Sequence, residues 1–352
     1  MWRHVLALTL FAVSALLLVC TIAVAEPQVP LPAPGTTPDL TAALNATPTL
    51  DPAATLNPPP ALEVAPEDEI SEVVIEAPEP RFAAPTLRDR IGRIWAPVLI
   101  NGRGPYRLVL DTGATHSAII AQTASSLGIP LSQISNIRVT GVTGSAVVQS
   151  VDVKRMEFGE LSMAGSTLPV VADVFGGAEG ILGTEGLSDK RIVIDFGHDE
   201  VLIMRSKGEL ARATGLATLP LRQLRDHLLA LDVLVGGVHA KAVIDTGAQI
   251  SIGNNALRAA LTRYKARDTR KAEIEGVTLD VEAGDMMRAP PIYVGTLQFN
   301  FVNITYGDMY IFDRWKLNHE PVLVLGMDVL GTVDTLIIDY RLHQLQMRLH
   351  RS

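Results

Sequence analysis

The sequence predicts a mostly β protein made of two tandem copies of one small lobe, related by a pseudo-two-fold axis. Three observations favour this fold class. Short apolar runs separated by Gly-rich turns fill residues 81–352, one four-residue motif occurs twice, and the segments around that motif recur in the same order. Two copies are too few for a solenoid, so two facing lobes are the simplest geometry.

Residues 1–25 are predicted to be a secretory signal peptide. Arg3 and His4 precede an apolar stretch at residues 5–19, and Ala23-Val24-Ala25 places a small-x-small cleavage site after Ala25. An uncleaved membrane anchor is the alternative, although this apolar run is short for a bilayer span. Cleavage predicts a periplasmic or secreted protein, and contact with a membrane only through this segment if it is retained.

Cysteine usage narrows the chemistry of the chain. Cys20 is the only cysteine, so a mature chain without it has no disulfide, no thiolate nucleophile and no cysteine zinc site. Lipidation of Cys20 is an alternative to simple cleavage, but Val19 is not the small residue usually required before a lipidated cysteine.

Residues 26–85 are predicted to be a disordered, acidic, Pro-rich linker. They hold 14 of the 22 prolines, and residues 26–80 carry ten acidic residues and no Lys or Arg. A propeptide that occupies a cleft until its removal is the alternative. Residues 81–352 carry 28 acidic and 29 basic residues, so no strongly basic face is implied and nucleic acid is not an expected partner.

The repeat defines the boundaries of the lobes. "VLINGRGPYRLVLDTGA" at residues 98–114 aligns with "VLVGGVHAKAVIDTGA" at 233–248 when one residue is skipped. The segment at 181–204 aligns in the same way with that at 324–347, and both contain an apolar-apolar-Gly triplet. We therefore predict a first lobe at 86–204, an inter-lobe linker at 205–226 and a second lobe at 227–352.

The two DTGA turns place a carboxylate at the end of an apolar strand. Asp111 follows one strand and Asp245 the other, and two lobes related by a two-fold axis can bring the two tips together. Two adjacent carboxylates share a proton, because both cannot easily be ionised. The ionised member can then activate a water molecule, while the protonated member hydrogen-bonds a carbonyl oxygen. The pattern predicts peptide hydrolysis without a covalent enzyme intermediate.

With both motifs and both apolar-apolar-Gly triplets, residues 90–349 resemble the retropepsin-like aspartic proteases, the group that contains pepsins and retroviral proteases. The resemblance implies two retropepsin-like acid-protease lobes in one chain, with Asp111 and Asp245 as the catalytic dyad. It also implies that "ILG" at 181–183 and "VLG" at 324–326 thread behind the active-site loops. The residues implied to support the site are Thr112 and Thr246, which would bond across the lobe interface, and Gly113 and Gly247, which would offer carbonyls to substrate.

The family covers its cleft with a β-hairpin flap, and residues 139–150 are the candidate in this chain. Gly141, Thr143 and Gly144 form its predicted tip and are candidate substrate contacts. The matching segment of the second lobe, 272–282, has one glycine and more charge, which predicts one mobile flap and one fixed wall. Neither hairpin has the tyrosine of pepsin flaps. The second lobe also has an aromatic-rich insertion at 305–321, either an apolar cleft wall or a satellite core.

The predicted function is that of an exported aspartic endopeptidase. It would act on polypeptide substrates as a monomer with both active-site halves in one chain, without a metal or another cofactor. The histidines lack the spacing of HEXXH metalloproteases. A non-catalytic peptide-binding module that retains the fold is the alternative. An actin-like ATPase with two related lobes is disfavoured, because the halves are strand-rich and contain no P-loop.

Overall fold

The computed structural model describes residues 12–14, 81–85, 87–88, 92–129, 135–158, 161–211, 215–224, 228–264 and 269–349. All of them fall within one compact unit, which comprises Met1–Val24 and Glu79–Ser352. The predicted Pro-rich linker up to residue 80 and most of the predicted signal peptide lie outside the described residues. The mostly β architecture predicted from the sequence is confirmed, since strands arranged in three sheets dominate the fold.

In chain order, the strands are β1 (Ala12–Ser14), β2 (Arg81–Pro85), β3 (Leu87–Arg88), β4 (Ile94–Ile100), β5 (Arg103–Leu110), β6 (Ala118–Ile120), β7 (Ser135–Thr140), β8 (Ser145–Phe158), β9 (Leu161–Val171), β10 (Gly180–Leu182), β11 (Lys190–Asp195), β12 (Glu200–Arg205), β13 (Ala217–Pro220), β14 (Arg222–Gln223), β15 (Leu229–Val235), β16 (Val238–Ile244), β17 (Ile252–Gly253), β18 (Thr269–Glu275), β19 (Val281–Arg288), β20 (Ile292–Val294), β21 (Leu297–Phe299), β22 (Asn303–Tyr306), β23 (Val322–Leu325), β24 (Thr335–Asp339) and β25 (Gln344–Arg348). The helices are α1 (Ala121–Leu127), α2 (Asn255–Ala260), α3 (Tyr310–Trp315) and α4 (Met327–Leu330).

The first half of the chain forms a sheet that closes on itself. Its strand order is β3-β4-β5-β10-β6-β9-β8-β7, and β4 also pairs with β8. Strand β4 shows why this region folds as a strand: Ile94, Ala96, Val98 and Ile100 are buried, while the residues between them are partly exposed. This alternation matches the two-residue period of a strand that faces a core on one side.

The second half forms a sheet with the order β1-β18-β19-β22-β17-β23-β16-β15-β20-β21, and β14 pairs with β15. Several pairings repeat those of the first half. Hairpin β15–β16 corresponds to β4–β5, and the parallel pair β16–β23 corresponds to β5–β10. Strand β17 lies antiparallel to β23, just as β6 lies antiparallel to β10. The repeated sequence segments thus form the same local strand pairings.

The third sheet joins strands from both halves in the order β13-β25-β24-β11-β12-β2. Two segments that the sequence analysis assigned to linkers contribute strands to the sheets. Residues 81–85, placed in the Pro-rich tract by their composition, form β2, whose backbone pairs with β12. The expected linker at 205–226 contributes β13, which pairs with β25, and β14, which pairs with β15. Backbone pairing with sequence-distant strands, which composition does not reveal, explains both differences.

Apolar side chains from both halves fill a continuous core between the sheets. Two smaller clusters lie to the sides of it, one mainly in the second half and one mainly in the first. Across the part of the chain that the structure describes, no helix has the length and apolar character needed to cross a membrane.

Candidate active site

The two DTGA loops are held by equivalent backbone contacts. Asp111 follows β5, and its N–H donates to the carbonyl of Leu182 on the parallel strand β10 at 3.0 Å. Asp245 follows β16, and its N–H donates to the carbonyl of Leu325 on the parallel strand β23 at 3.1 Å. The apolar-apolar-Gly triplets therefore run beside the loops, as the resemblance implies, and fix where each carboxylate leaves its strand.

The structure brings the two aspartates together in a fully buried position, with 0% exposure for each. Asp111 Oδ1 accepts the Gly113 N–H at 2.8 Å, and Asp245 Oδ1 accepts the N–H groups of Gly247 and Ala248, both at 2.9 Å. Both Oδ2 atoms lack a donor among the described residues. An ionised carboxylate oxygen can only accept, so a proton shared by the two carboxyl groups, which hydrogen-bond to each other, would supply the missing donor.

The loops approach each other so closely that both motif glycines are sterically required. A methyl group on Gly113 would lie 2.7 Å from Asp245 Cγ, and one on Gly247 would overlap the Asp111 carboxylate. Any larger residue at either position would push the opposite aspartate away. The structure therefore gives Gly113 and Gly247 a reason for being glycine that is separate from the predicted carbonyl contacts with substrate, which remain a prediction.

The motif threonines cross-link the two halves. Thr112 Oγ1 donates to the Ile244 carbonyl at 2.9 Å and accepts the Thr246 N–H at 3.1 Å. Thr246 Oγ1 donates to the Leu110 carbonyl at 2.6 Å and accepts the Thr112 N–H at 3.1 Å. All four bonds are buried, and each threonine spans from its own loop to the opposite strand. This arrangement is the cross-interface bonding expected from the sequence.

A second layer of polar residues, not predicted from the sequence, holds the first loop. Glu185 Oε1 accepts the Ser117 N–H at 2.7 Å, and Ser117 Oγ accepts the Gly183 N–H at 3.0 Å. The Thr184 N–H donates to the Ala114 carbonyl at 2.9 Å. These bonds tie the end of β10 to the segment that follows Asp111.

The second half repeats this layer. Ser251 donates its N–H to Asp328 Oδ2 at 3.1 Å and its hydroxyl to Asp328 Oδ1 at 2.8 Å, while its Oγ accepts the Gly326 N–H at 3.2 Å. The signal was present in the sequence. A serine lies six residues after each motif aspartate, and an acidic residue lies two residues after each triplet glycine. Equal spacing in both copies could have revealed the layer.

The comparison with known families adds an independent observation at this point. Residues 96–185 match the family model of aspartyl proteases. The match supports a protease function, and it covers about a quarter of the chain, including Asp111 and the first triplet but not Asp245. No curated protein matches the chain.

Burial sets the ionisation of the two carboxyl groups in this aspartyl-protease-like site. Burial raises the pKa of Asp111 to about 7, and the N–H of Gly113 and the hydrogen bond with Asp245 limit that rise. Burial and then the charge of Asp111 raise the pKa of Asp245 well above its ordinary value. The two carboxyl groups therefore titrate as a pair, which keeps a shared proton to a higher pH than isolated aspartates would.

These raised pKa values predict that the dyad destabilises the fold as pH rises. Between pH 4 and pH 7 the unfolded aspartates lose protons that the folded pair retains, so the free energy of unfolding falls across this window. The raised pKa of Asp111 corresponds to about 4 kcal/mol at pH 8. We expect Asp111→Asn to gain stability over the wild type between pH 4 and pH 8, measured by urea unfolding at both pH values.

Asp285→Asn is the control for a carboxyl group with a lowered pKa. Hydrogen bonds from Lys271 and Arg258 lower the pKa of Asp285, so its charge already stabilises the fold at pH 4. The stability difference between this variant and the wild type should therefore stay nearly constant from pH 4 to pH 8. A stability difference for Asp111→Asn that stays constant from pH 4 to pH 8 contradicts the raised pKa.

The predicted flap tip packs against the second half. Gly141, Thr143 and Gly144 lie in the turn between β7 and β8, where the Gly141 N–H donates to the Gly144 carbonyl at 2.8 Å. Between them, Val142 is fully buried in the apolar cluster of the second half, and its carbonyl accepts the Ile311 N–H at 3.1 Å. The tip therefore packs against the second half, while direct contact with substrate remains a prediction.

The tip of the second hairpin, β18–β19, packs against the first half in the same way. Val277 at its tip is 2% exposed and packs in the apolar cluster of the first half. The two tips also touch: a methyl group on Gly276 would lie 2.5 Å from Thr143 Oγ1, and one on Gly144 would overlap Asp280. The weaker sequence match predicts a fixed wall at this hairpin, yet both tips make the same kind of contact.

The insertion at 305–321 forms helix α3, which supports the first tip. Ile311, Phe312 and Trp315 are buried in the cluster that surrounds Val142, and the rings of Phe312 and Trp315 meet edge to face. The insertion therefore packs as a satellite core, one of the two expected alternatives, and the flap tip is part of that core.

Each hairpin tip buries its valine in the opposite half, so we expect the two tips to open together. Val142→Ala removes buried apolar volume worth about 1.5–3 kcal/mol, so we expect amide hydrogen exchange at residues 141–144 and 276–280 to accelerate roughly tenfold or more. Val277→Ala should act on the same two tips. Val147→Ala is the control, because Val147 lies on β8 and is 59% exposed. Equal acceleration by the control would argue against the contact.

The described residues contain no group of three or more His, Cys, Asp or Glu side chains arranged to hold a metal ion. Each Oδ1 atom of the dyad accepts backbone N–H groups, and a proton shared between the two carboxyl groups would supply the donor that the Oδ2 atoms lack. The arrangement can therefore supply one ionised and one protonated carboxyl group at a single point.

Proposed function

We propose that the chain is an exported aspartic endopeptidase that hydrolyses peptide bonds with a water molecule activated by Asp111 and Asp245. One observation carries the proposal: two fully buried carboxyl groups hydrogen-bond to each other at equivalent loops, and their Oδ2 atoms lack another donor among the described residues. The aspartyl protease match over residues 96–185 supports the same reaction class.

The raised pKa values of the pair suggest two roles. The ionised carboxyl group of the pair acts as the general base that takes a proton from the attacking water. The protonated carboxyl group donates a hydrogen bond to the carbonyl oxygen and so stabilises the negative charge that develops there. The rate should rise as the pair loses its first proton and fall as it loses the second.

The substrate we propose is a polypeptide bound in an extended conformation between the two halves. Strand β7 stands at the end of its sheet among the described strands, so the backbone groups of its outer edge can pair with an extended chain in the manner of an added strand. Because both aspartates and both hairpins belong to one chain, we propose that a monomer carries the whole site. Export rests on the apolar N-terminal segment and its small-x-small site at Ala25.

The test is cleavage of a peptide library by the full chain across a pH series. We expect cleavage with a bell-shaped pH dependence, no loss on addition of a chelator, and no cleavage by Asp245→Asn. Binding of peptides without cleavage at any pH would support the alternative, a peptide-binding module. Inactivation by the chelator would point to a metal that this proposal leaves out.

A further inference from the structure

A cavity of about 410 Å³ lies beside the first catalytic loop, at the boundary between the two halves. Its lining includes Thr115 and His116, the two residues after the DTGA motif, together with Glu185, Leu229, Tyr340 and His343. Ligand pockets begin at about 300 Å³, so this cavity has room for one long side chain or a small molecule.

Glu185 differs from its counterpart in the second half in one respect. Asp328 uses both of its carboxylate oxygens to hold Ser251. Glu185 Oε1 accepts the Ser117 N–H, its buried Oε2 has no hydrogen-bond partner among the described residues, and burial raises the pKa of this carboxyl group. An unpaired buried oxygen is costly unless something supplies a donor. The first half therefore has a spare acceptor where the second half has none.

Tyr340 contributes a second unpaired group to the same cavity. Its ring is 7% exposed, and its hydroxyl has no hydrogen-bond partner among the described residues. Burial, and secondarily the charge of Asp111, raise the pKa of this hydroxyl, so it stays neutral.

The charge and shape of the lining select a class of ligand. Among the described residues that line the cavity there is one carboxyl group and no Lys or Arg. Leu229 and the Tyr340 ring provide apolar surface next to that carboxyl group. A charged head on an apolar stem matches this combination, and that is the chemistry of a lysine or arginine side chain.

We propose that this cavity binds an alkylguanidinium or alkylammonium group, whose head pairs with the Glu185 carboxylate and whose stem lies along Leu229 and Tyr340. The Glu185–Ser117–Gly183 chain of hydrogen bonds connects the bound cation to the catalytic loop. The cation belongs either to a basic side chain of the polypeptide substrate or to a free small molecule. The first source rests on the proposed protease function, whereas binding itself does not.

Calorimetric titration of the full-length Asp111→Asn protein tests the binding without turnover. The probes are n-butylguanidinium and its neutral analogue n-butylurea. We expect saturable binding of n-butylguanidinium and at least tenfold weaker binding of n-butylurea, because only the cation forms a charge-assisted hydrogen bond with a carboxylate. Adding Glu185→Gln should weaken binding of the cation about tenfold or more, while Gln retains an oxygen for the Ser117 N–H.

Asp328→Asn is the matched control, since both oxygens of Asp328 are already occupied by Ser251. It should leave binding of n-butylguanidinium unchanged, and Tyr340→Phe should weaken it by a smaller factor than Glu185→Gln. Undetectable binding at millimolar probe, equal binding of both probes, or equal losses in the Glu185→Gln and Asp328→Asn proteins would each overturn the proposal. Circular dichroism of every variant shows whether its fold is intact.

Peptide cleavage by the chain with both aspartates separates the two sources of the cation. If the ligand is a substrate side chain, cleavage should favour Lys or Arg at one fixed position, and Glu185→Gln should remove that preference. If it is a free small molecule, n-butylguanidinium should change the rate for all peptides alike. Binding of the cation without any cleavage would refute the protease function and leave the cation site standing.

Discussion

Replacement of either Asp111 or Asp245 by asparagine is expected to abolish peptide cleavage while the fold stays intact. The expected loss is at least the roughly 10²–10⁴-fold that general acid–base catalysis typically contributes, because an amide cannot share a proton as a carboxyl group does. Asparagine fits the site sterically, and its Oδ1 can still accept the Gly113 or Gly247 N–H. Cleavage rates on a library-derived peptide, with circular dichroism of each variant, measure this result.

Mixing the two inactive variants tests whether one chain carries the whole site. Each variant lacks one carboxyl group of its only dyad, so a mixture should recover no activity. If the site formed between two chains, as in retroviral proteases, an intact Asp111 from one chain could pair with an intact Asp245 from another. Recovery on mixing would contradict the monomer, whereas full activity of either single variant would contradict the protease assignment.

The local fold was predictable because the two copies of the sequence repeat are expected to form the same strand pairings. The apolar runs before each DTGA motif and the recurring triplets predict two similar sets of strands, and β5–β10 and β16–β23 form the same parallel pairs. Period-two alternation in β4 indicated the strand and its buried face. Local sequence patterns of this kind determine pairing between neighbouring segments, which is why mostly β architecture followed from them.

The third sheet was not predictable in the same way. Strands β2 and β13 pair with β12 and β25 through backbone groups, and neither strand carries a marked apolar pattern of its own. Residues 81–85 adjoin a Pro-rich tract, so their composition favoured a linker. Pairing of such segments depends on edges that exist only after the rest of the fold has formed.

The site was predictable where the chemistry is encoded in the motif itself. Asp111, Asp245 and their threonines meet as the paired DTGA segments suggested. Glu185 and Asp328 were missed because a single acidic residue can have many roles, and only the equal spacing in the two copies distinguishes these two. The packing of each hairpin tip against the opposite half was also missed. Whether a valine at a turn is buried depends on the residues of the other half, which the local sequence does not reveal.

Thr112→Val is expected to produce the largest loss of stability among substitutions in the site. Valine keeps the shape of threonine but removes the hydroxyl, so the Ile244 carbonyl and the Thr246 N–H lose their partner in a buried position. Each unpaired buried group costs about 1–3 kcal/mol, so the expected loss is roughly 2–6 kcal/mol. That is a large fraction of the stability of an ordinary domain. Urea unfolding at constant pH measures it.

Thr112→Ser is the matched control, because serine retains the hydroxyl and loses only a methyl group. Its cost should be about 1 kcal/mol, with catalytic activity largely retained. A loss equal to that of the valine variant would show that packing of the methyl group, and not the hydroxyl, holds the two halves together.

A double-mutant cycle with Thr246→Val tests whether the two threonines act as one unit. The four hydrogen bonds join different atom pairs, so the two losses would simply add if the loops stayed in place. Loss of one threonine, however, removes two of the four bonds that join the loops, so the loops can separate and the two remaining bonds are weakened before the second substitution is made. We therefore expect the double variant to lose less stability than the sum of the single variants. Simple additivity would mean that the shared third sheet, and not the threonine pair, holds the dyad together.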